Sequence, residues 1–218
     1  MAFSDENWEK LLPSYLRDEG KGRLSEALDQ FKPENRNNKI SYQDFYYNYG
    51  YSFFLQGDLV NEIRCPIWNK EKKEYNKIYP NAIILSNSCD ISFENKRDLN
   101  PKQCLFAPLI SLEEYIDELI KNGFDKAKLD TFMLNIKSQA FSNIFYLPEN
   151  EIDKTEYIAL FDKIYWYPID ELKKLTEQIR EDRIISLNQY GFYLFILKLS
   201  YHLCRLPEAC DREIIIPS

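Results

Sequence analysis

The chain has 218 residues, a formal net charge of −7 and a hydrophobic fraction of 44%. That hydrophobic fraction excludes a disordered chain, and the length suits one packed core with helical additions. The acidic balance argues against a uniformly basic nucleic-acid-binding surface, although 28 lysines and arginines leave room for a local basic patch.

Cysteine and histidine usage argues against a disulfide framework and against a zinc site. Five cysteines at irregular spacing do not form a paired set, and His202 is the single histidine. A structural zinc ion needs about four clustered ligands, so we expect no metal and no cofactor. The chain begins with a polar, acidic segment that is not a secretion signal, and no apolar run is long enough to span a bilayer. We therefore expect free thiols, a cytoplasmic location and no membrane partner.

The first 38 residues form a predicted helical extension. A capped helix starts near Ser4 and is interrupted by Pro13, and a second amphipathic helix covers residues 23–31. Residues 32–39 are polar and form a predicted linker. We therefore predict an extension over residues 1–38 and a single core over residues 39–218.

The core alternates predicted strands with inserted helices and ends in a long helix. Apolar and aromatic runs predict strands at 51–55, 59–67, 81–86, 103–108, 143–147 and 157–166, with a hairpin loop at 70–73. Helical spacing predicts helices at 111–120, 125–137, 170–175 and 187–204, and Ser111 with Glu114 forms a capping box. This order predicts an α+β fold in which residues 59–63, 82–86 and 104–107 share a small, strongly bent antiparallel sheet.

Three short motifs follow one another in a characteristic order. Residues 56–60 read Gln-Gly-Asp-Leu-Val, residues 81–87 read Asn-Ala-Ile-Ile-Leu-Ser-Asn, and residues 105–111 read Leu-Phe-Ala-Pro-Leu-Ile-Ser. This order resembles the PemK/MazF toxin family. The resemblance implies an SH3-like barrel and, for typical members, metal-free cleavage of single-stranded RNA.

The same comparison shows where this chain departs from the family. The family places its catalytic arginine before a proline that precedes the apolar strand, and the matching place here is Tyr79-Pro80 or Pro80-Asn81, neither of which contains an arginine. Where the family has a threonine, this chain has Ile110. Without that cation and that hydroxyl, the usual stabilisation of a pentacoordinate phosphate is missing. The resemblance therefore implies the barrel more strongly than the chemistry.

The segment from Ser86 to Asp90 is the most site-like part of the sequence. It places two hydroxyls, an amide, a thiol and a carboxylate at the end of an apolar strand, where sites are often built. Cys89 is a candidate nucleophile if His202 lies beside it, and Asp90 is a candidate base. The simpler interpretation, which we favour, is a packed cysteine and a turn-capping aspartate.

Two functional hypotheses follow. The leading one is a non-catalytic interaction module with a protein partner, an accessory of a bacterial toxin-like or phage-defence system, with Ser88, Cys89, Arg183 and Arg205 as binding residues. The alternative is a metal-independent endoribonuclease that uses Arg64, Ser86, Asp90 and Ser111, with RNA as the partner. The many aromatic residues of segments 42–54 and 165–167 are predicted to serve packing, because the first set has no interleaved lysine or arginine.

Overall fold

The computed structural model describes residues 40, 42, 44–92, 101–175 and 183–204. The predicted extension over 1–38, the linker, Arg205 and Cys210 lie outside the described residues. The order of elements confirms an α+β fold with a mostly antiparallel sheet.

The main sheet has eight strands. Numbered along the chain, its members are β1 (Tyr46–Tyr47), β2 (Leu59–Val60), β5 (Ala82–Ile84), β6 (Gln103–Ser111), β7 (Ile144–Leu147), β8 (Tyr157–Leu160), β9 (Tyr165–Pro168) and β10 (Arg183–Leu187). The spatial order is β1-β10-β2-β5-β6-β8-β7, with β9 also paired to β6, and all of these pairings are antiparallel. This pairing confirms that the three motif strands β2, β5 and β6 are adjacent. Within the described residues the sheet is open, not closed into a barrel.

Strand β6 is long because two consecutive strands share its outer edge. Leu109 pairs with Ala159 of β8, whereas Phe106 pairs with Tyr165 of β9. Between these two pairs β6 covers three positions, whereas the segment from β8 to β9 covers six. The three extra residues form a 3-10 turn, Phe161–Lys163. The single strand predicted over 157–166 is thus two strands, since this turn interrupts it.

Helices cover both faces of the sheet. They are α1 (Ser88–Ile91), α2 (Leu112–Lys121), α3 (Leu129–Lys137, preceded by the 3-10 turn Lys126–Lys128), α4 (Ile169–Leu175) and α5 (Gln189–Cys204). Ile83 belongs to a buried cluster with Phe195 of α5, while Ile84 belongs to another with Leu172 of α4. Both faces of β5 are therefore buried, which explains its continuous apolar sequence.

A two-stranded ribbon stands apart from the main sheet. Strands β3 (Cys65–Asn69) and β4 (Glu74–Ile78) pair antiparallel with each other, and every residue of β4 is exposed. The tight turn over 70–73 agrees with the predicted hairpin loop, and the Asn69 side chain accepts hydrogen bonds from the N–H groups of Glu71 and Lys72, each at 3.0 Å.

Other boundaries differ from the sequence predictions. The strand predicted over 51–55 is wrong, because those residues lack strand pairing and lead into a turn. Strands β1, β4 and β10 were not predicted. Ser111 does begin a helix as predicted, since its side chain accepts a hydrogen bond from the N–H of Glu114 at 3.1 Å. No helix in the described ranges is long and apolar enough to cross a membrane.

Candidate functional site

Two of the sequence motifs meet at one end of β5. The N–H of Gly57 donates to the carbonyl of Ile84 at 2.9 Å, and the N–H of Ile84 donates to the carbonyl of Asp58 at 3.0 Å. Gly57 has a φ of +87°, and a Cβ atom there would lie 3.2 Å from Leu187. Glycine fits this turn because other residues would be strained in the left-handed region. The turn therefore lies directly beside the site-like segment 86–90.

The serine hydroxyls of that segment hold backbone groups. The N–H of Leu105 donates to Oγ of Ser86 at 2.8 Å, and the N–H of Gln56 donates to Oγ of Ser88 at 2.9 Å. Nε2 of Gln56 donates to the carbonyl of Leu85 at 2.7 Å. These bonds join β5, β6 and the Gly57 turn, so both hydroxyls have a structural use that the sequence did not reveal.

Cys89 and Asp90 lie on the short helix α1. The side chain of Asn87 accepts the N–H of Cys89 at 2.9 Å and so caps this helix. Cys89 is exposed and Asp90 is partly exposed. The simpler prediction of a buried Cys89 is therefore wrong, and the buried thiol of this region is Cys104. Burial raises the pKa of Cys104 to about 12, which keeps that thiol protonated and a weak nucleophile at neutral pH.

Arg183 forms a buried ion pair behind the Gly57 turn. Its Nε lies 2.8 Å from Oδ2 of Asp58, and the two side chains are only 7% and 1% exposed. The guanidinium also donates to the carbonyls of Tyr51, at 3.0 Å, and Phe53. Burial raises the pKa of Asp58, and the neighbouring Arg183 opposes that rise. Arg183 thus fastens β10 to the turn and to segment 51–53.

Ser111 and Arg64 are the remaining residues of the ribonuclease hypothesis, and Ser111 lies far from Ser86. Ser111 lies six residues beyond Leu105 on β6, roughly 20 Å away along an extended strand. Its hydroxyl caps α2. Arg64 is exposed, and its guanidinium lies 5.9 Å from the ring centre of Tyr167. Ser86, Ser88, Cys89 and Asp90 come together, as their sequence positions require, and Ser111 does not join them.

His202 does not supply an evident base for Cys89. Its ring packs 5.8 Å from that of Phe161, and its buried Nδ1 has no hydrogen-bond partner among the described residues. Over the same residues, no group of three or more acidic, cysteine or histidine side chains could hold a metal ion. Cys65, Cys89, Cys104 and Cys204, the cysteines of the described ranges, form no disulfide bond.

An exposed row of aromatic rings was missed by the sequence reasoning. The rings of Tyr49 and Tyr51 are stacked at 5.3 Å and those of Tyr51 and Phe53 at 4.9 Å, while Tyr47 lies 4.6 Å from Tyr49. Three of these side chains are 43–57% exposed. No sequence spacing separates this aromatic row from the buried Phe45, which lies two residues before Tyr47.

No protein-family model matches this chain, and no curated protein is significantly similar to it.

Proposed function

We propose that this chain is a non-catalytic interaction module, built on an open form of a PemK/MazF-like barrel, that acts with a partner protein. One contrast supports the proposal. The hydroxyls of Ser86, Ser88 and Ser111 each accept a backbone N–H, whereas aromatic and aliphatic side chains remain exposed. Side chains that secure the backbone suit a rigid scaffold, and exposed apolar surface suits a protein contact.

The toxin-like or phage-defence setting rests on the three motifs alone. The pairing of β2, β5 and β6 is compatible with the sheet that the resemblance implies. Fold and setting do not by themselves imply cleavage, because function depends on the residues of the site. In this proposal, the chain keeps the family's scaffold and serves as an accessory protein.

The endoribonuclease stays as the alternative, favoured by one observation. Arg64 is exposed beside Tyr167, so its guanidinium is open to a phosphate group, and the neighbouring ring offers a surface for a base. The Ser86 hydroxyl of this hypothesis already accepts a hydrogen bond from the backbone N–H of Leu105.

Incubation with mixed-sequence single-stranded RNA in EDTA separates the two functions. We expect no site-specific cleavage, since losing one preorganised charge-stabilising group costs on the order of a hundredfold in rate. The variants Arg64→Ala and Asp90→Ala run alongside Lys126→Ala, an exposed control. Cleavage by the parent chain that disappears in either site variant, but not in the control, would establish the enzyme.

The binding role is tested in the organism that carries the gene. A tagged full-length chain, crosslinked in those cells and analysed by native mass spectrometry, should appear in one complex of fixed stoichiometry with a second protein. Recovery of the chain alone at its natural expression level would contradict the proposal.

A further inference from the structure

The geometry points to the free edge of β4 as a docking site for an acidic, extended segment of a partner protein, which adds to the ribbon as a third strand. This inference rests on the proposed interaction module, because it takes the partner to be a protein. It goes further by naming the docking edge and the chemistry of the partner segment.

The first observation is the incompleteness of the ribbon. Strands β3 and β4 pair with each other, and in the described part of the chain β4 has no other strand beside it. A two-stranded hairpin is only marginally stable in water, and three strands with an apolar face are the usual minimum for independent stability. An added strand would supply backbone partners and cover exposed side chains.

The second observation selects the edge. Pro66 in β3 has no N–H, and proline is accommodated in a sheet where its nitrogen faces away from the neighbouring strand. The outer edge of β3 therefore lacks a donor. The base of β3 also lies against β9, where the Tyr165 hydroxyl donates to the carbonyl of Ile63 at 3.3 Å. The exposed β4 edge carries no proline and is the better template.

The third observation is charge. The hairpin carries four lysines and two glutamates on a chain whose net charge is −7, and all six are exposed. No ion pair joins these lysines to another described residue. Four lysines and two glutamates give the hairpin a net charge of +2, so a second copy of the hairpin would bring two surfaces of like charge together. An acidic strand instead meets Lys77 within β4 and the excess of lysines at the hairpin turn.

The exposed apolar side chains disfavour RNA as the occupant. Ile67 and Ile78 are 46% and 41% exposed on one face of the ribbon, and Tyr75 is 67% exposed on the other. Alternate side chains of an added strand would contact each face in turn, which is how strand addition achieves specificity. Aliphatic anchors serve a peptide better than a phosphate backbone.

The test uses the full chain and labelled ten-residue peptides at low ionic strength. A peptide that alternates glutamate and valine should bind by fluorescence anisotropy and should slow hydrogen exchange at the amides of residues 74–78. A peptide of equal charge with prolines in place of alternate valines should bind at least about tenfold more weakly, because proline cannot pair. A lysine–valine peptide should not bind.

Matched variants test whether the peptide binds at the β4 edge or is attracted only by the overall charge of the chain. Lys72→Glu with Lys77→Glu should weaken binding about tenfold or more, while Lys121→Glu with Lys126→Glu, the same charge change at other exposed sites, should alter it less than about twofold. Circular dichroism checks that both pairs fold.

Three outcomes would overturn the docking edge. They are equal loss in both variant pairs, equal binding of the proline peptide, and protection by single-stranded RNA instead of the acidic peptide. Any of these outcomes, if the chain does not cleave RNA, rejects the β4 docking edge but not the proposed interaction module. Cleavage that depends on Arg64 rejects the proposed function itself.

Discussion

At the scale of single residues, a buried ion pair between Asp58 and Arg183 holds two distant segments of the fold together. Asp58 and Arg183 lie 125 positions apart in the sequence and pair at 2.8 Å inside the protein. The free energy of such a pair is modest, because desolvation offsets the attraction. Removing one member of the pair destabilises the fold strongly, because the charge of the other member stays buried without a partner.

This cost gives a direct prediction. Arg183→Met should lower the free energy of unfolding by about 3–5 kcal/mol, because Asp58 remains buried and the carbonyls of Tyr51 and Phe53 lose their donor. Urea unfolding followed by circular dichroism measures it. Lys174→Met breaks the exposed pair with Glu171 and should leave that free energy almost unchanged. Equal effects of the two substitutions would show that the buried Arg183–Asp58 pair matters no more to stability than an exposed pair.

At the scale of elements, the position of α5 depends on one close approach. A Cβ atom at Gly191 would lie 2.7 Å from the carbonyl oxygen of Phe45. Asn188 begins the helix nearby, with its side chain accepting the N–H of Gly191 at 2.8 Å. The absence of a side chain lets the helix pack against the segment that precedes β1.

Substitution at this glycine distinguishes packing from helix propensity. Propensity alone predicts that Gly191→Ala stabilises α5 by about 1 kcal/mol. We expect the opposite, a loss of about 1–3 kcal/mol, because backbone must move to admit the methyl group. Thermal unfolding gives the sign, with the exposed Ser200→Ala on the same helix as the control. A raised midpoint for Gly191→Ala would reject the close approach.

At the scale of the whole molecule, a buried lysine links stability to pH. Lys198 is 1% exposed in α5, and its ammonium group donates to the carbonyl of Gln139. Burial lowers the pKa of Lys198 to about 7 in the folded protein, below its ordinary value of 10.5. Between these two pKa values, the unfolded chain binds more protons than the folded chain. The free energy of unfolding therefore rises with pH above about 7 and is flat below it.

We expect Lys198 to raise that free energy by about 2 kcal/mol between pH 7 and pH 9, a rise that ionisation of the Cys104 thiol in the unfolded chain offsets in part near pH 9. Lys198→Met should remove most of the increase, whereas Lys128→Met, at an exposed site, should preserve it. Urea titrations at several pH values measure the trend. Measurements stop at pH 9 because burial raises the pKa of Tyr42 and Tyr46, which makes stability fall once tyrosines of the unfolded chain ionise. A flat profile in the parent chain would contradict the assignment.

The sequence by itself determined the elements that depend on local chemistry. Ser111 and Glu114 predicted the start of α2, and the apolar run over 81–86 predicted the buried strand β5, because capping and hydrophobic spacing act within a few residues. The order of three motifs predicted that β2, β5 and β6 share a sheet.

Tertiary structure decided how the candidate site residues are used. The hydroxyl of Ser86 accepts a bond from Leu105, nineteen positions away, and Arg183 reaches Asp58 across 125 positions. Strand β10 was not predicted, and it is fixed in the sheet by pairing with β1 and β2. Such contacts form only when distant segments meet, and no local pattern encodes which donor a given oxygen will accept.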